Sequence, residues 1–163
     1  MLFFKKKKEV PKKPLGLYVH IPFCVRKCQY CDFLSAPADD VTKERYVQAL
    51  CKEIKDYQAF TKEYYLETIY FGGGTPSVLN VEWLEQILNT IKQSFTVDME
   101  KAEVTVEVNP ATVTKEKLQA YRTLGINRLS IGVQSSHEKE LQLLGRLHTF
   151  EQAKECVQWA REV

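Results

Sequence analysis

Long apolar runs are absent from this 163-residue chain: no stretch approaches the ~20 residues that a bilayer-spanning helix needs. A secretory leader is not expected either, since Met1-Leu2-Phe3-Phe4 puts its apolar residues before the lysines rather than after them. Neither membrane insertion nor secretion is expected, and the cytoplasm is the expected compartment. Strong net charge is also missing, because 23 basic against 21 acidic side chains leave only +2. Six lysines and Glu9 give the first thirteen residues a local charge of +5, so the remainder is slightly acidic. A nucleic-acid partner, which needs basic charge spread over a folded face, is therefore not expected. Residues 1–14, interrupted by Pro11 and Pro14, read as a disordered basic leader. There is no G-x-G-x-x-G fingerprint and no P-loop lysine, which makes dinucleotide and triphosphate sites poor fits. An even cysteine count is lacking as well: there are five, three of them within eight residues at Cys24, Cys28 and Cys31. Spacing that short suits metal ligation in a reducing compartment better than a disulfide framework.

What is present is an ordinary globular composition, 44% apolar and 27% charged. A chain of this length buries roughly two-thirds of its unfolded surface, so no metal is needed merely to hold it together. Four strand–helix units alternate along it. Leu15 to Ile21 reads as a strand, and a helix over Thr42–Phe60 follows with apolar positions at Tyr46, Val47, Leu50, Ile54 and Tyr57. Thr68 to Phe71 reads as a short buried strand running into Gly72-Gly73-Gly74-Thr75-Pro76, with a helix capped near Asn80 behind it. Glu103 to Val108 alternates with period two, and Thr114 caps a helix that stops at Gly125. Arg128 to Val133 forms the fourth strand, followed by a short helix at Leu141–Leu144 and a last one opened by a Thr149-x-x-Gln152 capping box. Strands joined by helical crossovers predict an α/β fold with a parallel sheet, a barrel or part of one.

In such folds ligands collect at the carboxyl ends of the strands. The cysteines follow strand one, the glycines strand two, Glu107 and Asn109 end strand three, and Gln134 ends strand four. All the unusual groups fall on one rim. Three thiolates on one loop fit two chemistries. A zinc site wants a fourth ligand, for which His20, inside a predicted strand, is the only nearby candidate. A 4Fe–4S cluster needs only three thiolates and leaves its fourth iron open to an exogenous ligand. Spacing alone favours the cluster over zinc, although cysteine is a favoured ligand of both.

The string Tyr18-Val19-His20-Ile21-Pro22-Phe23-Cys24-x3-Cys28-x-Tyr30-Cys31-Asp32-Phe33 resembles the cluster-binding signature of the radical S-adenosylmethionine (SAM) superfamily. Its His-Ile-Pro-Phe-Cys version is similar to the oxygen-independent coproporphyrinogen III oxidase group, which includes heme chaperones. Further matches are Tyr70-Phe71-Gly72-Gly73-Gly74-Thr75-Pro76-Ser77, Glu107-Val108-Asn109-Pro110 and Gly125 through Gln134, all in family order. The resemblance implies that Cys24, Cys28 and Cys31 ligate the cluster and that SAM chelates its open iron. It implies SAM contacts from Tyr18 and Tyr30, and from Gly73 with Gly74 and Thr75 on the glycine loop. Glu107 would be a SAM-binding carboxylate, while Gln134 and Arg146 match polar contacts at the position of a second SAM in the oxidase. No catalytic residue is assigned.

The oxidase carries a further cysteine two residues after the third ligand, where this chain has Phe33. That departure resembles the heme-chaperone branch, whose expected cargo is heme passed to acceptor proteins of the respiratory chain. The alternatives are coproporphyrinogen oxidation in porphyrin biosynthesis and, from another class, a zinc-binding interaction domain. A flavodoxin or ferredoxin is the expected electron donor. Cys51 and Cys156 read as small buried hydrophobes, His137 and His148 as surface or capping residues rather than heme ligands, and Trp83 and Trp159 as core. The family barrel is expected to have six β/α units plus a C-terminal domain. Residues 15–163 supply four units, and so read as a truncated core domain whose fourth strand exposes an unpaired edge.

Overall fold

The computed structural model describes residues 12–163. Four parallel strands, β1 (Lys13–Ile21), β2 (Tyr64–Gly73), β3 (Glu103–Val108) and β4 (Arg128–Ile131), pair in the order β1-β2-β3-β4. Helices α1 (Asp40–Tyr57), α2 (Val81–Ser94) and α3 (Lys115–Leu124) make the crossovers, and α4 (Glu138–Leu144) and α5 (Phe150–Glu162) follow β4. The expected α/β class holds, with four strand–helix units arranged as part of a (β/α) barrel. Among the described residues β1 and β4 are the sheet edges.

Period two along each strand separates the faces of the sheet. Val19 and Ile21, Ile69 and Phe71, and Val104, Val106 and Val108 share one face and are buried. They join Val47, Cys51 and Ile54 of α1, the Leu84–Ile91 stripe of α2, and Leu118 and Tyr121 of α3 in one core. Parallel register places Tyr18 beside Tyr70, Tyr70 beside Thr105, and Glu107 beside Ser130 on the opposite face. The apolar face anchors the sheet to its helices and leaves the polar face to build a site.

Several boundaries move, each for a local reason. β1 starts at Lys13, so the strand takes two residues from the expected leader; residues 1–11 of that leader lie outside the described residues. β2 is ten residues long, because β1 supplies a ladder partner from Lys13 onwards and Leu66 is buried ahead of the apolar run that marked the strand. α1 begins at Asp40, with the Asp39 carboxylate accepting from Thr42 N, and ends at Tyr57, after which residues 58–60 tighten into a 3₁₀ turn. β4 ends at Ile131, and α4 starts three residues before its expected position, just after His137. The expected caps are all present: Asn80, Thr114, the left-handed Gly125 and the reciprocal Thr149–Gln152 box. Cys51 and Cys156 are buried as expected, whereas Trp83 and Trp159 are half-buried against the core. His137 is exposed, but His148 is buried, which corrects the surface assignment.

Candidate cofactor site

The β1–α1 loop is closed on itself before it reaches the cysteines. Ala36 N donates to Pro22 O and Cys24 N to Ala36 O, at 3.0 and 3.2 Å, pinching residues 24–35 into an excursion above the strand ends. Phe23 at its base packs edge-on against Tyr46 of α1. Thr75 N donates to Phe23 O at 2.7 Å and Gly74 N to Ile21 O at 2.9 Å, joining the glycine loop to the cysteine loop. From the far side Arg26 donates to Gly145 O and Arg146 O, at 2.7–3.2 Å.

The glycine loop can come this close only without side chains. A Cβ at Gly74 would lie 2.6 Å from Phe23 O, and one at Gly73, whose φ is +116°, would lie 2.5 Å from the His20 ring. Gly73 N is thereby free to donate to Glu107 Oε2 at 3.1 Å. Glu107 Oε1 accepts from the Tyr70 hydroxyl at 2.7 Å, so both carboxylate oxygens are held and the side chain is aimed. Burial and the bond to Glu107 push the Tyr70 hydroxyl's pKa up, so it stays a donor at neutral pH. Tyr18 stacks on Tyr70 with ring centroids 6.1 Å apart, and its hydroxyl lies 3.0 Å from His20 Nδ1.

The three loops and the strand ends enclose a cavity of about 280 Å³. Cys24, Cys28 and Cys31 all line it, together with Tyr30, Gly73, Gly74, Thr75, Glu107, Gln134 and Arg146. Every residue expected at the site is thus gathered on one cavity except Tyr18, which stands beside it on the polar sheet face. Cys24 Sγ is 3.4 Å from Thr75 Oγ1, and Cys28 Sγ is 4.0 Å from Arg146 Nη1. Among the described residues no three His, Cys, Asp or Glu side chains are gathered closely enough to hold one metal ion. His20 is already engaged, its Nε2 3.3 Å from Leu34 O. Three separate thiols on one wall, with no fourth ligand gathered beside them among the described residues, suit a cluster whose ligands bind different irons better than a closed four-ligand zinc site.

Two residues take roles that their sequence context did not assign. Tyr70 aims Glu107, and its signal was its period-two placement beside Tyr18. His148 contacts Asn109, Val133 and Arg146, a role that no local pattern marks.

Comparison with known proteins agrees with this geometry. Residues 18–163 match the family described as the Radical SAM superfamily. The chain is 40% identical over 148 residues to the heme chaperone HemW of Escherichia coli (strain K12), covering 90% of this chain and 39% of that protein. It is 34% identical to the mitochondrial radical S-adenosyl methionine domain-containing protein 1 of Dictyostelium discoideum, covering 98% of this chain and 39% of that one. The chain therefore spans about two-fifths of the length of these curated relatives. Among solved structures, the Escherichia coli coproporphyrinogen III oxidase HemN, a radical SAM enzyme, superposes with a TM-score of 0.86 at 31% identity, covering 95% of this chain and 36% of that one. The chain shares its fold alone with anSMEcpe, a structure with bound AdoMet, at a TM-score of 0.60 and 16% identity. No helix of the described residues is long and apolar enough to cross a membrane. From the motif order, the parallel strand–helix architecture and the family match, the chain belongs to the radical SAM superfamily.

Proposed function

We propose that residues 15–163 are the cluster- and SAM-binding core of a HemW-type heme chaperone. The observation that carries this reading is the convergence of three unpaired thiols, a side-chain-free glycine loop and an aimed carboxylate on one cavity. Cys24, Cys28 and Cys31 hold the 4Fe–4S cluster. Tyr30 and the Gly73-Gly74-Thr75 backbone line the SAM side, Glu107 accepts from its polar groups, and Tyr18 stiffens that wall through Tyr70. Gln134 and Arg146 close the opposite side. When bound, the cluster and SAM supply one-electron cleavage chemistry; the chain's own residues position both and limit solvent access. Heme is the proposed cargo and respiratory-chain proteins its acceptors. A flavodoxin or ferredoxin is the proposed electron source, and the cytoplasm the proposed compartment.

The close superposition on HemN favours a second reading, coproporphyrinogen III oxidation. Against it stands Phe33, 68% exposed, where that group carries a further cysteine. Hemin titration of the iron-loaded full-length protein, followed by Soret absorbance, separates the two when run beside an anaerobic coproporphyrinogen III assay with SAM and a reductant. Saturable heme binding without protoporphyrinogen formation supports the chaperone. Turnover to protoporphyrinogen, or no saturable heme binding, overturns it.

A further inference from the structure

Three rim segments meet at one buried imidazole. His148, directly before the Thr149 cap of α5, is 3% exposed. Its Nε2 lies 3.0 Å from Val133 O; its Nδ1 lies 3.3 Å from Asn109 Oδ1 and 3.5 Å from Arg146 Nη2. Burial, reinforced by the charge of Arg146, pushes its pKa down against the opposing pull of the Val133 bond and Glu138, so the ring is neutral at pH 7. A neutral imidazole has one N–H and one lone pair. Val133 O can only accept, so the proton sits on Nε2. Nδ1 then faces Arg146, which can only donate, while Asn109 Oδ1 is already engaged as acceptor for Ala111 N at 3.1 Å. The opposite tautomer would set two acceptors against each other at the shorter of the two contacts.

We propose that His148 is a positioning residue that holds Gln134 and Arg146 in place on the cavity wall. Gln134 follows Val133 and has φ +72°, a conformation that non-glycine residues keep only when their neighbours are fixed. The His148–Val133 bond fixes the residue just before it. Arg146 has one firm anchor, Nη2 donating to Gly132 O at 2.6 Å, while its buried Nε has no partner. The lone pair of His148 and the Gly132 carbonyl together turn Nη1 toward Tyr30 and Cys28. Two polar groups of the cavity, from different segments, thus depend on one ring. The positioning role stands on these contacts; what it positions toward rests on the proposed SAM-binding reading.

Two conservative variants split the arms. His148→Gln keeps a donor where Nε2 stands but has no acceptor at Nδ1. His148→Asn keeps an acceptor at Nδ1 but no donor toward Val133. Backbone amide exchange, read on the chain without iron, is expected to quicken at Ser135, whose N–H donates to Val133 O at 3.0 Å, in His148→Asn and His148→Ala and to remain slow in His148→Gln. SAM affinity of the iron-loaded chain is expected to fall about 5–10-fold in His148→Ala, the worth of roughly one lost hydrogen bond, with cluster absorbance unchanged. Unchanged exchange at Ser135 in His148→Ala overturns the proposal. So does a lowered melting temperature with SAM affinity intact. Should His148→Ala not fold, the Gln and Asn variants carry the same comparison. If the parent loads iron but binds no SAM, the functional reading fails, while the exchange pattern still decides the positioning role.

Discussion

Gly73→Ala is the most informative single substitution, because its cost can be worked from the backbone outward. At φ +116° an L side chain is strained by about 1–3 kcal/mol whatever the space. The space is also taken: the new Cβ would lie 2.5 Å from Nδ1 and Cε1 of His20, a ring held at both nitrogens by Tyr18 and Leu34. If the backbone moves instead, the bond from Gly73 N to the Glu107 carboxylate loosens, and such charged bonds are worth about 1.5–3 kcal/mol. A total near 3–5 kcal/mol is a large share of the ~5–15 kcal/mol that holds a domain folded. For a chain of this size it corresponds to a drop of roughly 6–20 °C in melting temperature. The assay is thermal unfolding followed by far-UV circular dichroism on Gly73→Ala, His20→Ala and the double variant. Truncating His20 removes the clash but not the φ strain, so the double variant should melt several degrees above the sum of the two single losses. A Gly73→Ala protein melting within about 2 °C of the parent would refute the reasoning. Strict additivity in the cycle would refute the part assigned to His20.

Four further outcomes follow from the same geometry. Glu107→Gln should weaken SAM binding while iron content stays at the parent's value, measured by equilibrium dialysis; unchanged affinity would remove Glu107 from the site. Tyr121→Phe should raise the melting temperature, because the buried Tyr121 hydroxyl has no hydrogen-bond partner and its desolvation costs about 1–3 kcal/mol; a lower melting temperature would contradict this. Acid should destabilise the chain through His148. Its folded pKa lies below the ordinary 6.5, so the unfolded chain binds the extra proton first and stability falls as pH drops from about 6.5 toward the lowered value. That loss, seen in denaturant titrations, should be smaller in His148→Gln, and an identical pH slope would exclude His148 as its source. Finally, β4 is an edge strand among the described residues, so the chain should self-associate as concentration rises; a cooperative, concentration-independent melt of a monomer would contradict this.

Much of this architecture was legible in the chain because local chemistry and tertiary context agree. The β3 limits follow from strict alternation, and the caps at Asn80, Thr114 and Thr149 follow from their side chains alone. β2 was under-read because its first half is made a strand by its partner β1 rather than by its own apolar content. The cavity residues were legible as motifs, yet their mutual support was not. Tyr70 donating to Glu107 spans 37 positions, a distance over which no periodicity operates, and His148 Nε2 donates to Val133 O from another segment. Tyr18 shows the converse: its motif is plain, but it stands beside the cavity, stacked on Tyr70.

The most direct test of the central claim is metal analysis after anaerobic reconstitution with iron and sulfide. About four irons and four sulfides per chain are expected. SAM is also expected to perturb the electron paramagnetic resonance spectrum of the reduced cluster, and Cys28→Ala to abolish both loading and perturbation. About one zinc per chain with no iron, or an intact cluster in Cys28→Ala, would contradict the claim.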